Sequence, residues 1–175
     1  SLKLPLHGGA NFMVSNMIED IKKNCNYSDE ALLKEYIKKI FMGEAFDKSG
    51  NIYEMRQAIY TISDPRAVIL KKKAYEIAKE KGELEEFELF SNVEKFTKEI
   101  GKELKGENFE ICANVDLYSG FVYKLLNIPQ NIFTPLFALA RIASWNAHRI
   151  EQITSDKKII RPAYKAIDAN GKLLV

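Results

Sequence analysis

Five side chains in this 175-residue sequence have the chemistry of a proton-transfer site that handles carboxylates. His7 stands in Pro5-Leu6-His7-Gly8-Gly9-Ala10-Asn11, directly before two glycines that let the backbone bend closely around a ligand. A helical pattern follows, and the positive end of its dipole favours the neutral imidazole. Asp116 stands in Asn114-Val115-Asp116, ahead of Tyr118-Ser119-Gly120. A carboxylate there can accept a proton, or it can cap the helix that continues from Leu117. Arg66 lies in Ser63-Asp64-Pro65-Arg66, Arg141 in Leu139-Ala140-Arg141 and Arg161 in Ile160-Arg161-Pro162. A guanidinium meets a carboxylate through two parallel hydrogen bonds, although any one of these arginines taken singly reads as a surface ion pair.

Helices must position all five. Apolar residues recur at helical spacing almost everywhere, with Val14, Met17, Ile18 and Ile21 forming the first stripe. Ser28 is the expected N-cap of a second helix, with Asp29 and Glu30 in its first turn and Leu32, Leu33, Tyr36, Ile37 and Ile40 on its buried side. Phe46 to Asn51 is turn chemistry. Asp64-Pro65 starts a third helix, since proline at the first helical position loses nothing by lacking an N–H; that helix runs to about Lys81. A fourth spans roughly Leu84 to Leu104, burying Phe87, Phe90, Val93, Phe96 and Ile100, and is closed by Lys105 to Asn108. Pro129 and Pro135 mark two later starts, the last helix continuing to about Ile153, with a loosely held tail beyond Ile160. Only Ile52 to Tyr60 suggests a strand, and it is too interrupted. The expected fold class is all-α, a bundle-like arrangement of helices.

Composition excludes several function classes. With 46% hydrophobic and 29% charged residues the chain is globular, not disordered. A net charge of +2 is too small to imply nucleic acid or an anionic membrane as a partner. Lys71-Lys72-Lys73 reads as a solvated helix face. Cys25 and Cys112, with no CxxC spacing, imply a reduced compartment and no metal. No apolar run approaches the roughly 18 residues that a bilayer span needs, and no signal peptide is visible, so the expected location is cytoplasmic.

The order and spacing of these motifs resemble citrate synthase, close to the bacterial citrate and 2-methylcitrate synthases. The resemblance is to the C-terminal portion of that family and runs from the first residues to about Tyr164. It implies a leading segment 1–9 carrying His7, a small helical domain over 10–113 and the C-terminal part of the large helical domain over 114–175. It implies a transferase of the tricarboxylic acid cycle that condenses acetyl-CoA with oxaloacetate, with acetyl-CoA as a substrate and no permanently bound cofactor. In that reading Asp116 is the base that takes a proton from the acetyl methyl group, and His7 hydrogen-bonds the enol oxygen. Arg66, Arg141 and Arg161 clamp carboxylates, and the last of them reaches a neighbouring subunit, which implies a homodimer. His148 replaces none of these; it falls on a helix face beside Trp145 and Arg149.

The resemblance also shows departures. The family's CoA loop has the form Gly-x-Gly-His, and here those four positions are Glu54, Met55, Arg56 and Gln57. Gln57 can donate a neutral hydrogen bond to the oxaloacetate carbonyl but cannot carry a positive charge or pass on a proton. Losing a donor of this kind costs on the order of 3 kcal/mol in the transition state, about a hundredfold in rate. Glu54 and Arg56 obstruct a loop that needs positive φ or a close backbone approach. The sequence begins at Ser1 without an initiator methionine and runs straight into a motif, so a truncated and impaired copy is expected. The alternative is a catalytically dead relative kept for binding or dimerisation. Exposed Leu136, Leu139, Ile142 and Ile150 would then favour self-association.

Overall fold

The computed structural model describes residues 9–55, 60 and 62–155. Among them are six α-helices and no strand, as expected from the periodicity. Helix α1 spans Ala10–Asn24, α2 Glu30–Phe41, α3 Pro65–Lys81, α4 Leu84–Lys105, α5 Val115–Leu125 and α6 Phe133–Ser155, with a 3-10 turn over Gln130–Ile132.

Local chemistry sets most of the boundaries. Asp64 caps α3, its carboxylate accepting the Arg66 N–H, with Pro65 at the first helical position. Gly82 ends that helix at φ 74°, a left-handed conformation that costs glycine nothing. Two boundaries differ from expectation. Asp29, not Ser28, caps α2: its Oδ1 accepts from Ala31 at 2.9 Å and from Leu32 at 3.2 Å. A charged carboxylate satisfies two amides and faces the positive helix end, an advantage that the neighbouring hydroxyl lacks. Pro135 does not start the last helix; α6 begins at Phe133, and the proline sits in a first turn whose N–H groups have no intrahelical partner anyway.

Packing divides the chain into residues 1–138 and residues 139–175. In the first unit α5 lies against α1 and α3, and α4 against α2 and α3. The core joins Met17, Ile18 and Ile21 of α1 to Leu33, Ile37 and Ile40 of α2 and Phe90, Val93 and Ile100 of α4. Helix α5 is the most enclosed, with every residue from Leu117 to Val122 buried. Gly101 allows a close approach. A Cβ there would stand 2.5 Å from the Phe109 ring, so the connector between α4 and α5 packs directly on the α4 backbone. Cys25 is half-buried and Cys112 buried, both as free thiols.

Half-buried charge stitches the helices together. Glu94 of α4 accepts from Lys98 at 2.7 Å, Tyr118 Oη of α5 at 2.6 Å and Lys71 of α3 at 2.9 Å. Lys71 is therefore part of a half-buried network, while Lys72 and Lys73 form the solvated face expected of the basic run. Glu86 of α4 likewise accepts from Lys22 of α1 at 2.7 Å and from Lys124 of α5 at 2.6 Å.

The second unit is helical through Ser155, and there Leu139, Ile142, Trp145, Ile150 and Ile153 are exposed. His148 is also exposed on its helix face, 3.5 Å from Glu151. Among the described residues no helix is long and apolar enough to cross a membrane.

Glu94 gives the fold a measurable acid sensitivity. Burial pushes its carboxyl up, but the hydrogen bonds from Lys98, Tyr118 and Lys71 outweigh burial and hold it at about 2. A carboxyl depressed in the folded state stabilises above its unfolded value and loses that contribution as pH falls toward the folded value. The window here runs from about 4.5 down to about 2. Glu94→Gln is expected to lower unfolding free energy in urea by about 3 kcal/mol at pH 7 and by clearly less at pH 3.

Candidate active site

Asp116 is the second residue of α5, where a carboxylate faces the positive end of the helix. It does not cap that helix. Asn114 does: its Oδ1 accepts the Asp116 N–H at 2.8 Å. The Asp116 side chain is thereby released from capping, and its Oδ1 accepts from Ser119 Oγ at 3.4 Å. Its negative charge is felt by its neighbours. Tyr123, one helical stretch further along α5, is pushed up first by burial and then by Asp116.

Arg66 is the second residue of α3 and repeats this arrangement. Its N–H bonds Asp64 Oδ1 at 2.9 Å, and its guanidinium returns to the same carboxylate through Nε at 3.1 Å and Nη2 at 2.8 Å. Asp64 is buried while the Arg66 side chain is mostly exposed. The pair leaves the Nη1 hydrogens uncommitted to Asp64, and the guanidinium also lies 6.0 Å from the Tyr60 ring centroid. Asp64, then Tyr60 and Asp116, hold Arg66 more firmly protonated than usual. Asp116 and Arg66 are thus electrostatic neighbours although 50 positions apart in sequence.

Glu54 joins the same place. Its backbone carbonyl accepts the Asn114 N–H at 3.0 Å, and its carboxylate accepts from Asn114 Nδ2. Burial, and then the charge of Asp116, push the Glu54 carboxyl above its ordinary value against the opposing hydrogen bond from Asn114. The residue sits at φ 62°, where a side chain is uncommon. Met55 beside it is fully buried in the core. His7, Arg56, Gln57 and Arg161 lie outside the described residues. Arg141 lies on α6 in the second unit, its carbonyl accepting from Ser144 Oγ at 3.0 Å.

Two features were not evident from motif spacing. Asn114 acts as both cap and bridge, and Asn11 of the His7 motif is buried with neither amide atom hydrogen-bonded. An asparagine two residues before a helical Asp was a readable cap signal; the pairing with Glu54, 60 residues away, had no local signal. A cavity of about 330 Å³ lies elsewhere, among Ser15, Ile18, Phe90, Phe121, Lys124 and Phe133, and includes none of the candidate residues. Among the described residues no cluster of metal-ligating side chains occurs. Asn114→Ala, which removes the cap and the Glu54 bridge together, is expected to cost more than the roughly 1 kcal/mol of an ordinary cap in thermal or urea unfolding. Asn114→Ser, which keeps a capping oxygen, should restore part of that loss.

Comparison with known proteins places these elements in a family. Residues 1–163 match the family model described as citrate synthase, C-terminal domain. The citrate synthase of Synechocystis sp. is 40% identical over 159 residues, covering 90% of this chain and 36% of that protein. The 2-methylcitrate synthase of Shewanella oneidensis is 32% identical, covering all of this chain and 41% of that protein. Among solved structures, the ternary complex of Thermoplasma acidophilum citrate synthase with carboxymethyl coenzyme A and oxaloacetate aligns with TM-score 0.67 and 30% identity, over 93% of this chain and 40% of that one. Citrate synthase from Pyrobaculum aerophilum aligns with TM-score 0.71 and 28% identity, over 93% of this chain and 37% of that one. The chain thus spans well under half the length of the relatives it matches. With 163 of its residues accounted for by one domain and the same helical fold in both solved structures, the chain belongs to the citrate synthase family, to whose C-terminal domain it corresponds.

Proposed function

We propose that this chain carries the acid–base part of a citrate synthase-type condensation, in which an acyl-CoA adds to the ketone of oxaloacetate. The observation that carries the reading is that Asp116 and Arg66 each stand second in a helix, on the packed pair α5 and α3, with the N–H of each held by a capping oxygen. A carboxylate released from capping can take the weakly acidic proton next to the thioester. A guanidinium beside it can bind a substrate carboxylate through the hydrogens that Asp64 does not use. His7 would hydrogen-bond the enol oxygen, and neutral donors at such a position stabilise developing charge without waiting for reorganisation. Arg141 and Arg161 would complete the carboxylate clamps. Gln57 would donate to the ketone, with Glu54, Met55 and Arg56 as the altered CoA loop.

The division into segments 1–9, 10–113 and 114–175 belongs to this reading, with Asn114 as the residue where the chain enters the helix that carries the base. Turnover by this chain is expected to be weak, because Gln57 cannot relay a proton and Glu54 occupies its left-handed position with a charged side chain. Acetyl-CoA is the first acyl donor to test. Propionyl-CoA is the second, favoured by the match of the whole chain to a 2-methylcitrate synthase.

The direct test is oxaloacetate-dependent release of free CoA. The expected outcome is activity near background in the unaltered chain that rises about a hundredfold or more in Glu54→Gly, Arg56→Gly, Gln57→His. Oxaloacetate should bind weakly by calorimetry, and Arg66→Ala should reduce that affinity about tenfold or more; unchanged affinity would remove the clamp from the proposal. The exposed apolar residues of α6 give a second expectation. Light scattering should report a mass of at least twice 20.0 kDa, with a clean monomer counting against a homodimer.

A further inference from the structure

We infer that Glu54 is a positioning residue for Asp116, acting through Asn114 and setting when Asp116 gives up its proton. The inference rests on Asp116 being the base of the proposed reaction. The geometry is a relay of three residues from two distant segments. Both the carbonyl and the carboxylate of Glu54 are bound by Asn114, through its N–H at 3.0 Å and its Nδ2. With Nδ2 turned to Glu54, the amide must present Oδ1 the other way, and that oxygen receives the Asp116 N–H at 2.8 Å. Each atom of the Asn114 amide therefore has one assigned partner, and the carboxylate of Glu54 is what decides which way round the amide sits.

The same contact places the Glu54 carboxylate on one side of the Asn114 amide and the Asp116 backbone N–H on the other. Two acids in one partly buried place do not ionise independently, so the protons leave in two steps that belong to the pair. Among the described residues, other charged and titratable groups bear on them. Arg66 and Asp64 approach from the start of α3, Tyr60 from the preceding segment and Tyr123 from α5. Arg66 is held by Asp64 and so offsets the pair only in part. The raised carboxyl of Glu54, for which burial and Asp116 are the two causes, agrees with this arrangement. Left-handed backbone at residue 54 adds a further sign of constraint, since a side chain there persists only when its surroundings hold it.

The test is a carbon-detected NMR titration of both carboxyl groups in the whole chain, with Glu54→Gln and Asp116→Asn. Glu54→Gln keeps an oxygen for Asn114 and removes the charge. It should lower the Asp116 midpoint by about half a pH unit or more while leaving amide exchange at the start of α5 unchanged. By reciprocity Asp116→Asn should lower the Glu54 midpoint by a similar amount. Glu54→Ala, which removes charge and acceptor together, should also speed exchange of the Asp116 amide. Unchanged midpoints in Glu54→Gln and Asp116→Asn would overturn the inference, and so would unaltered exchange in Glu54→Ala. Neither result depends on turnover, so loss of the condensation reading and loss of this coupling are seen separately.

Discussion

The Glu94 carboxylate is the interaction on which the arrangement depends. It gathers a lysine from α3, a lysine from its own helix and the buried phenol of Tyr118 from α5. Helices α3 and α5 carry Arg66 and Asp116, so a single half-buried acid ties together the two helices that bear the groups proposed for the chemistry. Such a network is stable only when every member is satisfied, and removing one partner leaves a charge stranded in low dielectric. Glu86 adds a second link of the same type between α1, α4 and α5. Apolar burial supplies most of the driving force, but these carboxylates decide the mutual placement of the helices.

At the site, one local device is used twice. A capping oxygen at 64 or 114 binds the N–H of the second helical residue, and that residue is the one proposed to meet substrate. Capping thus does more than finish a helix. It holds the backbone of the functional residue and leaves its side chain to other partners. The two copies differ in what the side chain then does. Arg66 folds back on its own cap, whereas Asp116 has its cap occupied by an amide that is itself anchored to Glu54.

Legibility followed sequence distance. Asp64-Pro65 is readable because cap and first-turn proline are adjacent, and the helical stripes of α1 and α4 have the expected buried residues. In α2, by contrast, Leu32 is exposed and Tyr36 half-buried, leaving Leu33, Ile37 and Ile40 on the core side. Asn114 and Asp116 both offer a capping oxygen at the start of α5, and it is Asn114, ahead of the helix, that accepts the N–H. At Asp29 the same ambiguity, serine against aspartate, resolved toward the charged group. The Glu54 contact to Asn114 could not be read at all, since no periodicity relates residues 60 apart. What the sequence did indicate there was unease: a charged residue where positive φ was suspected, and φ is 62°.

The Phe109 ring lying on Gly101 turns an apparently ordinary loop into a gauge of fixed length. Surface connections usually accept added or deleted residues because their ends are all that matters. Here the middle is pinned to the α4 backbone, so only the few residues from Phe109 to Asn114 remain to reach the start of α5. One residue more or fewer in that short span would have to be absorbed by moving the helix start or lifting the ring. Residues Gly106 to Asn108, on the other side of the pin, are held as well, because the Phe109 N–H donates to the Gly106 carbonyl at 2.9 Å. A length change on either side of the aromatic therefore shifts the ring or a helix end, and the connector measures out the gap between α4 and α5 rather than merely crossing it.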